Sequence, residues 1–383
     1  MRSFSKYFVI LLFFLTGCLE TPTGQLPNIK KAEILKEAER QKKISYAAYI
    51  KQMSLVKNIG FKINNSNADI CKKVGFSSGI TYANNHSLGI KISKYFPVEL
   101  NIDDQISIIH IANNSSAEKA GLKVGDKIMK IDNYEFPKGK KAVQKVLKYF
   151  EKKDSNKTQE IKIQRNGEIK SLSFEKDKIC DYPIILTQDN IVNAFADGER
   201  ILMTQGIVNY SKDENEIALI IAHELAHNDR GHLEAKKKNM LVLGSVGFIL
   251  DLMTIYYSGG TAGGNAQNTD LWTQIGAQAY SVEFEKDADY GGVYYAERAG
   301  YDISNAHEFW ERIGSENPKR IAISSTHPAT AERYIQIKKT VEEINDKKAK
   351  GLALVPNEKE KPKIKKKEKK KIDLKNIFKK KEN

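Results

Sequence analysis

Three of the chain's seven histidines fall in one short run, IIAHELAHNDRGH at positions 220–232. His223 and His227 are four residues apart, so on a helix they project from one face. Neutral imidazoles are good zinc ligands, and a catalytic zinc site takes three protein ligands and leaves a fourth position for water. Glu224, beside the first histidine, is the candidate general base on the open side of such a site. The pattern alone is of moderate specificity, because helix histidines also occur without metal. His232 does not complete it. The longer zinc motif puts its third histidine six residues after the second with a glycine midway, whereas here the gap is five and Gly231 is adjacent. His232 is therefore expected to support the structure or to stand behind a ligand.

A better third ligand lies in SVEFEKDADYGG, positions 281–292. Glu285 and Asp289 are four apart and share a helix face. Glu285 could ligate, and Asp289 could accept the free ring N–H of a ligand histidine and orient it. Two solvated acids on a surface helix are the plainer alternative.

The elements that must hold these residues are legible in outline. Asp213-Glu-Asn-Glu216 can form a capping box that opens the histidine helix. Before it, residues 180–210 read as strand-like runs with turns at 188–190 and 197–198. After it comes a nearly continuous apolar run at 240–257, expected to be a buried or membrane-grazing hairpin, and a glycine-rich stretch that could act as a lid. Apolar residues at mixed three- and four-residue steps predict a helix from Ile29 to about Ile59. The stretch ISIIHIANNSSAEKAGLKVGDKIMKID (106–132) reads as strand, turn, short helix, glycine turn and strand. A second helix follows in KAVQKVLKYF, then a hairpin around Asn166-Gly167. This unit resembles a PDZ domain, with HSLGI (86–90) as a candidate carboxylate-binding loop. PDZ domains take peptide ends by strand addition.

Four stretches then resemble a known family, the zinc metallopeptidases that include the CAAX prenyl proteases and the periplasmic BepA-like proteases. They are NAFADGERILMTQG, NEIALIIAHELAHNDRGH, SVEFEKDADYGGVYYAERAGYD and SSTHPATAERY, together spanning about 180–335. The resemblance implies one zinc ion per chain with His223, His227 and Glu285 as ligands and Asp289 behind them. It also implies that His327 and Arg333 lie over the site and stabilise the oxyanion. A substrate strand would pair with the edge at Asn193, Ala194 and Phe195. One departure is Val282, where the family often has Arg after the serine.

Composition sets the compartment and the ends. Arg2 and Lys6 precede a short apolar run that meets Leu-Thr-Gly-Cys at 15–18, the form of an export signal. The junction resembles a bacterial lipobox, which would lipidate Cys18 and anchor the chain. Leu19 in place of Asp suggests the outer membrane, periplasmic face; a plain signal peptide is the alternative. The remaining cysteines, Cys71 and Cys180, suggest a disulfide in an exported chain, with two buried free thiols as the other reading. From Asn357 onward, thirteen Lys against five acids contribute +8 of the formal +14. The tail is expected to be solvated, and the remaining +6 points to no nucleic-acid partner.

The fold expected is α+β: a mainly helical zinc-metalloprotease domain with a small β-sheet, plus an inserted PDZ domain, sandwich- or barrel-like with two helices. The expected divisions are a signal peptide at 1–17, a linker and helix at 18–83, the PDZ domain at 84–178, the catalytic domain at 179–345 and the tail at 346–383. The expected activity is a lipid-anchored envelope endopeptidase acting on unfolded or envelope proteins. The alternative is a latent protease working as a chaperone-like or peptide-binding protein.

Overall fold

The computed structural model describes residues 24, 27–152, 158–242, 280–316, 327 and 330–358. The signal segment with Cys18, most of the apolar run at 240–257, the glycine-rich stretch and the lysine-rich tail beyond 358 lie outside the described residues. Among the described residues no helix is long and apolar enough to cross a membrane. The fold is α+β.

Helix α1 (Lys31–Ser66) leads. Its first half is exposed, and its second half buries Ile50, Met53, Val56, Ile59 and Ile63 along one stripe. It runs past the end predicted near Ile59. Ile63 and Asn64 are buried against the following strands, and Asn64 Nδ2 donates to the carbonyl of Tyr182 at 2.9 Å. That tertiary contact outweighs the weak helix preference of the Asn-rich stretch. Strand β1 (Val74–Ser77) follows.

The PDZ-like unit comprises β2 (Ile80–Ala83), α2 (Asn85–Leu88), α3 (Ile90–Ser93), β3 (Ser107–Ile111), α4 (Ser116–Lys119), β4 (Lys127–Ile131) and β5 (Tyr134–Glu135). It continues with α5 (Ala142–Lys152), β6 (Gln159–Arg165) and β7 (Glu168–Phe174). Its sheet runs β2-β3-β4-β6-β7, with β5 paired to β4. Alternation along β6 buries Gln159, Ile161 and Ile163 on one face. The β6–β7 hairpin turns on Asn166 and Gly167, both at positive φ (52° and 82°), which suits an Asn-Gly pair. Ile106, Ile108, Ile128, Ile131, Val146 and Phe174 complete a core of the unit's own. Two expectations change. The sheet starts at Ile80, ahead of the boundary predicted at 84, because β2 pairs with β3. The chain after Gly89 is helical in α3, where strand addition would want an extended edge.

β8 (Asp177–Cys180) pairs antiparallel with β1, Val74 opposite Cys180. Cys71 and Cys180 form a disulfide with Cα atoms 5.6 Å apart, so the entry and exit of the unit meet at one point. The rest of the chain builds a larger core. β9 (Ile184–Thr187), β10 (Ala194–Ala196) and β11 (Ile201–Thr204) form a small sheet in the order β10-β11-β9. Helices α6 (Gln205–Tyr210), α7 (Glu214–Asp229), α8 (His232–Val242), α9 (Val282–Arg298), α10 (Ala306–Glu316) and α11 (Ala331–Ala349) complete it. α7 is buried continuously from Ile217 to Asp229. A helix buried on every side belongs at the centre of a core.

Candidate active site

α7 carries the first two candidate ligands. Asp213 caps it, its carboxylate accepting from the N–H groups of Asn215 (2.9 Å) and Glu216 (3.0 Å). The return arm of the expected capping box differs: Glu216 accepts from the Lys212 N–H and pairs with Arg312 at 2.6 Å. α9 brings Glu285 and Asp289 against α7. The approach depends on Gly292, where a Cβ would lie 2.9 Å from the Cα and N of His223. Only hydrogen fits there, so the two helices touch backbone to backbone.

The result is a compact donor group. His223 Nε2 and His227 Nε2 are 3.0 Å apart. Glu285 lies 3.5 Å from the first through Oε2 and 3.4 Å from the second through Oε1. One donor atom from each of His223, His227, Glu285 and His327 falls within 4.8 Å of the others. Glu224 is 1% exposed, and its Oε2 is a buried acceptor with no hydrogen-bond partner. Such an orphan is costly unless something polar faces it. Two imidazoles and a carboxylate converging beside it are a fitting donor set for zinc.

The surroundings explain the charge states. Burial lowers the pKa of His227 to about 4 although the Glu285 carboxylate opposes it, so the ring is neutral, the ligating form. Burial works against protonation of His223 too, but Asp289 and Glu285 outweigh it and raise its pKa. Burial would raise the Glu285 pKa, yet the charges of His327 and Arg333 hold it well below the usual carboxylate range. Asp289 Oδ1 stands 2.9 Å from His223 Nδ1, within ion-pair distance.

Two residues sit differently from expectation. His327 is inside the donor group: its Nδ1 is 3.3 Å from His223 Nε2 and 3.0 Å from Glu285 Oε1, and its Nε2 is 3.2 Å from Glu224 Oε1. Burial opposes its charge, but Glu285 and Glu224 raise its pKa to about 10. Arg333 does not face an open cleft. Its side chain is fully buried and clamps Asp289 through Nε (2.7 Å) and Nη2 (2.8 Å), with Nη1 3.1 Å from Glu285 Oε2. A guanidinium engaged by two carboxylates is an anchor for them. Thr330 caps α11 and sets Arg333 in its first turn.

Asn193, Ala194 and Phe195 lie on and just before β10, the outer strand of its sheet, with Ala194 and Phe195 buried. Asn228, which spacing did not single out, ties this sheet to α7. Its Oδ1 accepts from the Gly198 N–H at 2.7 Å and its Nδ2 donates to the Arg200 carbonyl at 2.9 Å. Trp310 and Tyr280 were also missed: Trp310 packs 4.9 Å from His223, and Tyr280 stacks 4.1 Å from His227 between ring centroids. Aromatic residues far off in sequence leave no periodic signal.

A family model described as Peptidase family M48 matches residues 155–341, and one described as a PDZ domain matches 79–175. The chain is 27% identical over 164 residues to a beta-barrel assembly-enhancing protease of Escherichia coli O157:H7, covering 40% of this chain and 33% of that protein. It is 26% identical over 170 residues to the mitochondrial metalloendopeptidase OMA1 of Schizosaccharomyces pombe, covering 42% and 47%. The chain thus spans a third to a half of the length of these relatives. Among solved structures, the HtrA3 PDZ domain bound to a phage-derived ligand matches at TM-score 0.21 and 13% identity, over 27% of this chain and 88% of that one. The chain is thus similar to peptidase family M48 over residues 155–341 and to a PDZ domain over residues 79–175.

Proposed function

We propose that the chain is a zinc-dependent metalloendopeptidase of the cell envelope, cleaving peptide bonds in extended or unfolded protein. The observation that carries this reading is the convergence of His223, His227 and Glu285 beside the unpartnered, buried carboxylate oxygen of Glu224. His223, His227 and Glu285 would hold the zinc, which when bound supplies an electrophile that acidifies water and polarises a carbonyl. Glu224 takes the proton from the attacking water and delivers it to the leaving amine. Asp289, anchored by Arg333, keeps His223 in its ligating tautomer. Substrate adds as a strand beside Asn193, Ala194 and Phe195, and the PDZ domain recruits or gates it. Cys18 would carry the lipid anchor, with the outer membrane as the site of attachment. The relatives' names, a beta-barrel assembly-enhancing protease and a mitochondrial metalloendopeptidase, support a protease.

Cleavage of an unfolded protein such as casein by the purified chain tests the reading. Glu224→Gln is expected to lose activity by at least about 100-fold, the scale of a general base. Equal activity in the two proteins overturns the assignment.

The position of His327 favours a second reading, a latent form. An imidazole among the donor atoms competes with substrate and water for the same space. If His327 blocks the site, His327→Ala raises activity; if it stabilises the oxyanion, the same change lowers it.

A further inference from the structure

His232 has no task in that reading, yet its ring is only 3% exposed and touches a ligand. α7 ends at Asp229, Gly231 takes a left-handed turn (φ +71°), and His232 opens α8. The reversal returns its imidazole to the helix the chain has just left. His232 Nδ1 lies 3.0 Å from His227 Nδ1, and His232 Nε2 lies 3.0 Å from Asp287 Oδ2. The other oxygen of Asp287 is 2.6 Å from Arg230 Nη1. Phe284 stacks on the His232 ring at 4.9 Å and fixes its plane.

The direction of these bonds follows from donor and acceptor rules. An ionised carboxylate only accepts, so Asp287 takes the Nε2–H of His232. That leaves His232 Nδ1 as the acceptor, and the proton between the two rings belongs to His227 Nδ1. The lone pair of His227 Nε2 then faces His223 and Glu285. We infer that Asp287 and His232 form a relay that sets the tautomer and ring orientation of His227 for metal binding. The inference rests on the metalloendopeptidase reading of His227 as a ligand.

The arrangement repeats one already described. Behind His223 stand Asp289 and the guanidinium of Arg333; behind His227 stand His232, Asp287 and the guanidinium of Arg230. Both carboxylates come from α9, two and four residues after Glu285. The second ligand is out of direct reach of Asp287, and the extra imidazole spans the gap.

The test is zinc affinity, measured by chelator competition on the full chain, together with the visible spectrum of the cobalt(II)-loaded protein. His232→Leu is expected to raise the zinc Kd roughly 10–100-fold, the range for loss of an orienting partner. Asp287→Ala, at a half-exposed position, should weaken binding in the same direction and shift the cobalt spectrum. His232→Asn, whose amide oxygen can accept from His227 Nδ1–H, should recover most of the affinity. If His232→Asn binds as weakly as His232→Leu, the contact is packing alone and the relay is overturned. It is equally overturned if His232→Leu binds as tightly as the unsubstituted chain. An unsubstituted chain that takes up no zinc sinks the metalloendopeptidase reading itself, which is a separate and recognisable outcome.

Discussion

The decisive residues are those whose burial would be intolerable without their neighbours. Asp289, Glu285 and Arg333 are almost wholly removed from water and survive as charges through one another and through His327 and His223. Removing one member of such a set leaves the others uncompensated, which costs about 3–5 kcal/mol. Arg333→Leu should therefore lower urea-unfolding stability by about that amount and also weaken zinc binding, since Asp289 would be free to turn from His223. Unchanged stability would show that the clamp contributes nothing. Because Arg333 acts through carboxylates, its loss is expected to alter metal occupancy before it alters turnover of the fully loaded protein.

At the scale of elements, the site depends on how closely α9 approaches α7. Gly292→Ala places a methyl group against the His223 backbone, where neither side can yield by rotating a side chain. Overpacking of this kind costs about 1–3 kcal/mol, and the displacement should carry Glu285 away from the histidines. Reduced zinc affinity together with a lower Tm is the expected result; a neutral outcome would mean the helices have slack. A second joint lies where β3 meets α1. His110 is buried, its Nε2 has no hydrogen-bond partner, and burial and then the charge of Lys57 lower its pKa to about 4. Lys57 is half-buried, its Nζ donating to the Ile184 carbonyl at 2.6 Å. The unfolded chain gains a proton near pH 6.5 that the folded chain refuses until about pH 4. Stability is thus full above pH 6.5 and falls as the pH drops towards 4, by up to roughly 3 kcal/mol. His110→Phe should flatten that part of the Tm–pH curve, and an unaltered slope would exclude His110 as its source.

Across the whole molecule, the disulfide and α1 join two cores. The PDZ-like unit has its own apolar interior, but Ala83, Phe96, Leu100 and Ile109 belong to the larger core, so the unit is docked as well as tethered. Asn58 adds a polar tie, its Oδ1 accepting from the Asn113 N–H at 3.0 Å. Cys71 and Cys180 are 109 residues apart in sequence. In the chain-entropy model a cross-link closing about 100 residues is worth about 4–5 kcal/mol. The double change Cys71→Ser, Cys180→Ser should reduce stability by up to that amount while leaving the site geometry intact. Retained zinc content with a lowered Tm is the expected pair of results.

Local spacing was enough to place His223, Glu224 and His227 on one helix and to pair Glu285 with Asp289, because 3.6 residues per turn is a property of the helix itself. The glycine turns, the Asn166-Gly167 hairpin and the cap at Asp213 were legible for the same reason: each is settled within a few residues. The end of α1 was not, since burial of Ile63 and Asn64 against distant strands extends it. Nor was the setting of His232, Asp287, His327 and Arg333. His327 is 104 residues from His223, and which of its faces meets the donor group depends on how α9 and α11 pack. The contacts of Arg333 with Asp289 and Glu285 come from packing between α9 and α11. Spacing along the chain determines which side chains share a face; only the tertiary packing determines what that face meets, because contact between distant segments is set by shape and by the need to pair buried charge.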